Sequence, residues 1–82
     1  MYKENFPTRI KKARQEAGYT QVQTADITGI PQSALSKFET GRQEPSLEQL
    51  GILAQFYNIS INWLLSVSID PPITPTKKEM PQ

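Results

Sequence analysis

Apolar residues recur at helical spacing in five short segments of the chain. In the first segment, about 6–17, Phe6, Ile10, Ala13 and Ala17 follow one another at gaps of three or four residues. No useful length of the chain alternates with the period of two that a half-buried strand shows. The pattern therefore predicts an all-α fold of five short helices joined by turns of about two to six residues. The other segments cover about 20–28, 31–39, 46–57 and 60–66, and their apolar positions are Val22, Ala25, Ile27, Leu35, Phe38, Leu47, Leu50, Leu53, Ala54, Tyr57, Ile61, Leu64 and Leu65.

Helix-start and helix-stop residues separate these segments. Thr20 with Gln23, and Ser46 with Gln49, have the spacing of a capping box, in which each residue caps the other's backbone. Pro31 suits the start of the third helix but leaves it without an obvious capping oxygen. Four segments are followed by residues that tolerate the left-handed conformation after a last helical turn, namely Gly18, Gly29, Gly41 and Asn58.

The helical pattern stops after Leu65. Four prolines fall in the last twelve residues, and few groups there can pack. We expect residues 1–66 to form one domain. Residues 67–82 are expected to be a Pro-rich tail that is largely disordered, a linker or an extended arm.

Composition excludes several classes of chemistry. The chain has 82 residues, 37% of them apolar, with no Cys and no His, which is enough for one small core. Disulfides, thiol nucleophiles, Cys/His zinc sites and imidazole catalysis are therefore excluded. There is no Gly-rich phosphate loop and no catalytic pair of carboxylates, so we expect neither an enzyme nor a metal or cofactor. No signal peptide or membrane span is visible, and a cytoplasmic protein is the default expectation.

The small net charge of +1 hides a gradient along the chain. Residues 1–14 carry five basic groups and one acidic group, whereas residues 15–70 carry two basic groups and six acidic groups. Bulk charge does not demand a nucleic-acid partner. If there is one, the N-terminal segment is the source of long-range attraction.

The second and third segments have the spacing of a helix-turn-helix unit over about residues 20–40. Ala25 is small enough to let two helices cross closely, and Gly29 lets the chain reverse sharply. Ile30 and Leu35 then wedge the following helix against the core. In this geometry the second helix can project into the major groove of DNA. Many small helical bundles contain such a hairpin, so spacing alone is a weak signal.

The whole run from Arg14 to Leu65 is more specific, and it resembles the Cro/CI-type (XRE-family) helix-turn-helix domain. With the first helix included, the resemblance covers about 60 of the 82 residues. It implies a compact, lambda-repressor-like bundle of five helices and a transcriptional regulator that binds specific double-stranded DNA sequences. The matching positions are Arg14, Thr20, Gln21, Ala25, Gly29, Ile30, Ser33, Leu35, Ser36, Glu39, Gly41, Pro45, Ser46, Leu47, Leu50, Leu53, Ala54, Ile59, Ser60, Leu64 and Leu65.

The second segment departs from the family pattern. Thr24 and Thr28 stand where the family usually has apolar residues, and Val22 and Ile27 stand where it usually has polar ones. Either the second helix is rotated or it packs less apolar area than usual. Val22 and Ile27 are then either scattered surface residues or a small contact patch. Gly51 also lies inside the fourth segment, where it should cost about 1 kcal/mol relative to Ala.

The resemblance assigns roles to polar residues around the third segment. It implies base contacts from Gln32, Ser33 and Lys37, with Gln21 bracing Gln32. A carboxamide suits the N6 and N7 edge of adenine, although each of these side chains could instead be simply solvated. The resemblance also implies a buried or half-buried ion pair between Arg14 and Glu39. The resemblance further implies phosphate contacts from the backbone amides and side chains at the end of the third helix and after it, namely at Thr40, Arg42 and Gln43. The other implied phosphate contacts are Gln21 and Ser36.

One recognition helix offers too little surface for tight, specific binding, which favours a homodimer on a palindromic operator. Trp63, between the expected core-facing Ile61 and Leu64, either faces a second copy or caps the edge of the core. The alternative function is an antitoxin-like or other protein-interaction module that binds its partner through the tail or through Val22 and Ile27. The expected dimer surface is Ile59, Ile61, Trp63, Val67 and Ile69.

Overall fold

The computed structural model describes residues 5–65, and the secondary structure in that range consists of five helices. This confirms the predicted all-α bundle. The fifth helix is a single turn of four residues, shorter than the predicted 60–66, because Leu65 already leaves helical geometry as its C-cap. The helices are α1 (Phe6–Ala17), α2 (Gln21–Thr28), α3 (Gln32–Thr40), α4 (Leu47–Tyr57) and α5 (Ile61–Leu64).

Local capping sets the helix boundaries. Thr20 and Gln23 form both bonds of a capping box at the start of α2, and Ser46 and Gln49 do the same for α4. Pro31 precedes α3 without any side-chain capping bond, as its chemistry predicts. Left-handed residues end the first four helices, which satisfies carbonyls that would otherwise lack partners.

The core lies between α1 and α3 and is closed by α4 and α5. One face of α3 is committed to this core, because Leu35 and Phe38 are each only 1% exposed. The opposite face of α3 is therefore free for other contacts. The largest fully buried apolar side chains are Phe6, Ile10, Leu35, Phe38, Leu53 and Leu64.

Three apolar positions of the stripes predicted for α1, α4 and α5 do not face the core. Leu47 and Ile61 are the first residues of α4 and α5, and they are 87% and 41% exposed. Side chains tilt toward the N-terminus of a helix, so a side chain at the first position extends past the helix end. The expectation that Ile61 faces the core was therefore wrong. Ala17 is also exposed, at the last position of α1.

Helix α2 contributes little apolar surface to the core. Thr24 is fully buried, so the helix keeps its usual inward face and is not rotated. Its hydroxyl accepts a hydrogen bond from Tyr57, and its carbonyl accepts one from Thr28. Val22 and Ile27 point outward and are 52% and 60% exposed.

The expected tail at 67–82 lies outside the described residues, as do Val67 and Ile69 of the expected dimer surface. Within 5–65, none of the helices has both the length and the apolar character of a membrane span.

Candidate nucleic-acid interface

The outward face of α3 carries the polar side chains singled out from the sequence. Gln32, Ser33 and Lys37 are exposed, and Ser36 is half-buried among them. At about 100° per residue, these four positions span an arc of roughly 140° around the helix axis. The buried face lies on the opposite side, so the arc is presented to solvent as one surface, which we call the α3 edge.

A three-residue turn orients α3 relative to α2. Gly29 adopts a left-handed conformation with φ of 80°, which lets the chain reverse without steric strain. Ile30 then enters the core at 4% exposure, and its backbone N–H donates to the Thr28 hydroxyl. Pro31 then stands immediately before Gln32, the first residue of α3. The turn is thus fixed by burial and hydrogen bonding on both sides of the glycine.

A two-pronged ion pair joins α1 to the end of α3. The Arg14 Nε donates to Glu39 Oε2 across 2.7 Å, and its Nη2 donates to Oε1 across 3.1 Å. The two side chains are only 12% and 4% exposed. Hydrogen bonding to Glu39 raises the pKa of the Arg14 guanidinium above its usual value. The third guanidinium nitrogen donates to the Tyr19 carbonyl, so this pair also holds the α1–α2 turn.

Two glutamines extend this ion pair to the α3 edge. Gln21 Nε2 donates to Glu39 Oε1 across 3.1 Å. Gln32 Nε2 in turn donates to Gln21 Oε1 across 3.4 Å. A continuous series of hydrogen bonds therefore runs from Arg14 through Glu39 and Gln21 to an exposed side chain on α3. The sequence suggested the two ends of this series but not the link between Glu39 and Gln21.

The backbone of the loop after α3 is hydrogen-bonded to the helix it follows. The N–H groups of Gly41, Arg42 and Gln43 all bond to the carbonyl of Lys37, so these three amides are already used within the protein. The Thr40 hydroxyl donates to the Ser36 carbonyl across 3.0 Å and must rotate before it can donate to a phosphate. These amides close the end of α3 in this structure, and phosphate contacts from this loop stay a prediction. The side chains of Arg42 and Gln43 remain exposed.

Comparison with known proteins agrees with this architecture. The family model described as "Helix-turn-helix" matches residues 10–64. The chain belongs to the XRE family of helix-turn-helix proteins. The match covers all or most of every helix that positions the α3 edge.

Three relatives illustrate this XRE-family membership. The HTH-type transcriptional regulator ImmR of Bacillus subtilis is 40% identical over 57 residues, which cover 70% of this chain and 45% of ImmR. The SPbeta prophage-derived uncharacterized HTH-type transcriptional regulator YonR, from the same species, is 38% identical over 73% of this chain and 56% of YonR. The cryptic phage CTXphi transcriptional repressor RstR of Vibrio cholerae is 33% identical over 77% of this chain and 57% of RstR. The chain spans about half the length of the curated relatives it matches.

This XRE-family domain also holds α5 against α1. The Arg9 guanidinium lies 5.4 Å from the centre of the Trp63 ring, and Nη1 donates to the Trp63 carbonyl. Trp63 is still 37% exposed, and Ile59 is half-buried. The role of Arg9 is not visible in the sequence, because nothing in the spacing of α1 indicates that it meets a residue 54 positions later.

A second surface feature of the domain is an open apolar cavity between α2 and α4. Its volume is about 360 Å³. The cavity is lined by Ile27, Thr28, Ile52, Gln55 and Phe56.

Within residues 5–65, no group of three or more His, Cys, Asp or Glu side chains is placed to hold a metal ion.

Proposed function

We propose that this chain is a sequence-specific, double-stranded DNA-binding transcriptional regulator that inserts α3 into the major groove. The observation that carries the proposal is the α3 edge. Its polar side chains are exposed on a helix whose other face is locked into the core. An α-helix fits the major groove, where each base pair displays a distinct pattern of donors and acceptors. The XRE-family match and the regulator names of the relatives support the same role.

Three side chains of the α3 edge are proposed to contact bases. Gln32 is proposed to bond adenine in two places at once, as donor to N7 and acceptor from the N6 amine. Lys37 is proposed to donate to guanine or to a phosphate. Ser33 lies between them on the arc and is proposed to contact a base edge.

Phosphate contacts are proposed to surround this edge and set the register of the protein on DNA. Arg42 is the cation proposed for this role, because its side chain is exposed just beyond α3. The basic groups of α1 add long-range attraction. Binding through such contacts weakens steeply as salt rises, since bound counterions are released. The remaining proposed phosphate contacts are Gln21, Ser36, Thr40 and Gln43.

We propose that the regulator binds a palindromic operator as a homodimer in the cytoplasm. Two copies related by two-fold symmetry would place two α3 helices one DNA turn apart. Exposed Ile61 and Trp63 at α5 support a dimer surface there, together with Ile59. Val67 and Ile69 are proposed to extend it. Repression would follow from occlusion, because a dimer on a promoter blocks access for polymerase.

A second candidate function is binding to a protein partner through α2. The specific observation in its favour is that Ile27 is 60% exposed at the rim of the α2–α4 cavity, with Val22 also exposed on α2. An apolar side chain of a partner protein is the occupant that such a cavity fits. Substitution of Ile27 with Lys should abolish such binding and leave DNA binding intact.

The experiment that tests the primary proposal is selection of bound sites from random duplexes at one fixed salt concentration. The proposal predicts enrichment of a short motif in two inverted copies about one DNA turn apart. A motif in a single copy would contradict the dimer alone. No enrichment at low salt, with the protein folded, would contradict sequence-specific binding itself.

A further inference from the structure

We infer that Glu39 determines which base Gln32 recognises, because it fixes the orientation of the Gln32 side-chain amide through Gln21. This inference rests on the proposed function, and it concerns specificity rather than binding as such. The Glu39 side chain is only 4% exposed, and in this inference it acts as a positioning residue and not as a DNA contact. Its predicted effect is to favour adenine over guanine at the base pair that Gln32 contacts.

The first step in this transmission of orientation is the chemistry of the Glu39 carboxylate. Both oxygens receive hydrogen bonds from Arg14, and Oε1 also receives one from Gln21. An ionised carboxylate only accepts hydrogen bonds. The side chain is 4% exposed, so few water molecules can intervene. Gln21 must therefore present its amide nitrogen to Glu39.

The second step concerns the orientation that this imposes on the two glutamines. Because the Gln21 amide nitrogen donates to Glu39, the Gln21 amide oxygen faces the next residue of the series as a hydrogen-bond acceptor. Gln32 is that neighbour, and its Nε2 donates to this oxygen across 3.4 Å. A flipped Gln32 amide would bring two acceptor oxygens together and is disfavoured. The orientation that the buried Glu39 carboxylate imposes on the Gln21 amide is thus passed on to the exposed Gln32 amide.

The third step is the pattern that Gln32 then presents to a base. One N–H of its amide is used by Gln21, which leaves the other N–H and the oxygen for DNA. One donor beside one acceptor complements adenine, which offers the N7 acceptor and the N6 donor. Guanine offers two acceptors, N7 and O6, so the fixed amide oxygen would oppose O6. The order of donors and acceptors from Glu39 to Gln32 therefore makes Gln32 favour adenine over guanine.

The two variants that break the series do so at different points. Glu39→Gln places an amide where the carboxylate was, and an amide can either donate to or accept from Gln21. Gln21→Met removes both of the glutamine's hydrogen bonds and leaves the Arg14–Glu39 ion pair in place. Arg14→Lys is the matched control, because it weakens the ion pair but keeps the carboxylate as an acceptor for Gln21.

The test is to measure the ratio of Kd values for two duplexes that differ only by A·T or G·C at the position Gln32 contacts. That position is first located as the one at which Gln32→Ala loses its base preference. In the wild type we expect A·T to be favoured by about tenfold or more, as for a good two-bond contact. Glu39→Gln and Gln21→Met should reduce this ratio several-fold, whereas Arg14→Lys should lower stability and keep the ratio.

The outcomes separate this inference from the proposed function. A merely structural role for Glu39 would weaken binding to both duplexes equally and leave the ratio unchanged, which would overturn the inference. A wild-type preference for guanine at this position would also overturn it. If Glu39→Gln fails to fold, Gln21→Met decides, since it leaves the ion pair intact. A wild type that prefers no sequence at all would overturn the proposed function, and the inference with it.

Discussion

The Tyr57 hydroxyl lies 3.4 Å from the Thr24 Oγ1 and donates a hydrogen bond to it, joining α4 to α2 inside the core. Thr24 is fully buried and Tyr57 is only 5% exposed, so little of either side chain can contact water. A buried polar group left without a partner costs more than the bond itself contributes. This pair explains how α2 tolerates a threonine where an apolar residue would be expected.

Substitutions at this pair should therefore be strongly coupled. Thr24→Val leaves the tyrosine hydroxyl unpaired, and Tyr57→Phe leaves the threonine hydroxyl without its donor. Each should lower the free energy of unfolding by about 1 kcal/mol. The double variant should lose clearly less than the sum of the two, as urea denaturation would show. Purely additive losses would mean that the hydroxyls do not interact.

Tyr57 should also make the domain sensitive to alkaline pH. Burial raises the pKa of the Tyr57 phenol above its usual value of 10.0. The unfolded chain therefore loses this proton at a lower pH than the folded one. The stabilisation is present in full below pH 10 and is lost as the pH rises through the folded-state pKa. Urea denaturation between pH 8 and 11 should show a steeper loss for wild type than for Tyr57→Phe, and parallel curves would contradict this.

The Arg14–Glu39 ion pair should dominate the polar contribution to stability. Arg14→Ala strands a carboxylate that is 4% exposed, which should cost about 3 kcal/mol or more in unfolding free energy. The matched control is Lys12→Ala. The Lys12 Nζ lies 3.9 Å from Oε2 of Glu16, whose side chain is 68% exposed. This substitution should change the unfolding free energy by no more than about 0.5 kcal/mol. Similar losses for the two variants would contradict the structural role of the buried pair.

Gly51 offers a way to stabilise the domain. It lies inside α4, and a Cβ added there meets no atom within 4 Å. Gly51→Ala should raise the unfolding free energy by about 0.5–1 kcal/mol, because alanine loses less backbone entropy in a helix. Gly29→Ala is the contrasting control, since its φ of 80° is strained for any L side chain and should cost about 1 kcal/mol. If thermal denaturation shows that both variants are more stable than wild type, or that both are less stable, this explanation is refuted.

Much of the fold could be predicted because its signals are local. Capping boxes depend on residues three positions apart, so Thr20 and Ser46 mark helix starts without reference to the rest of the chain. Exposure depends instead on what covers a position. Leu47 has the right spacing for the core, yet it is 87% exposed at the first position of α4.

The candidate site was less predictable where it depends on distant contacts. Glu39 and Gln21 were each visible in the sequence, but their hydrogen bond forms only once α1, α2 and α3 have packed together. Arg9 and Trp63 meet for the same reason. The loop after α3 shows the opposite problem. Its backbone amides look available in sequence, and only the folded chain shows that the Lys37 carbonyl takes three of them.

The most direct test of the central claim removes two of the three side chains that are proposed to contact bases and leaves the rest of the protein in place. Gln32→Ala/Lys37→Ala removes one glutamine and one lysine from α3. Lys12→Ala/Gln15→Ala removes the same residue types from the exposed surface of α1. Each protein is titrated at one salt concentration with the duplex recovered by selection and with a scrambled duplex. The α3 variant should bind both duplexes about equally, whereas the α1 variant should keep the wild-type ratio of the two Kd values. A folded α3 variant that retains the wild-type ratio would contradict the claim that this helix reads DNA.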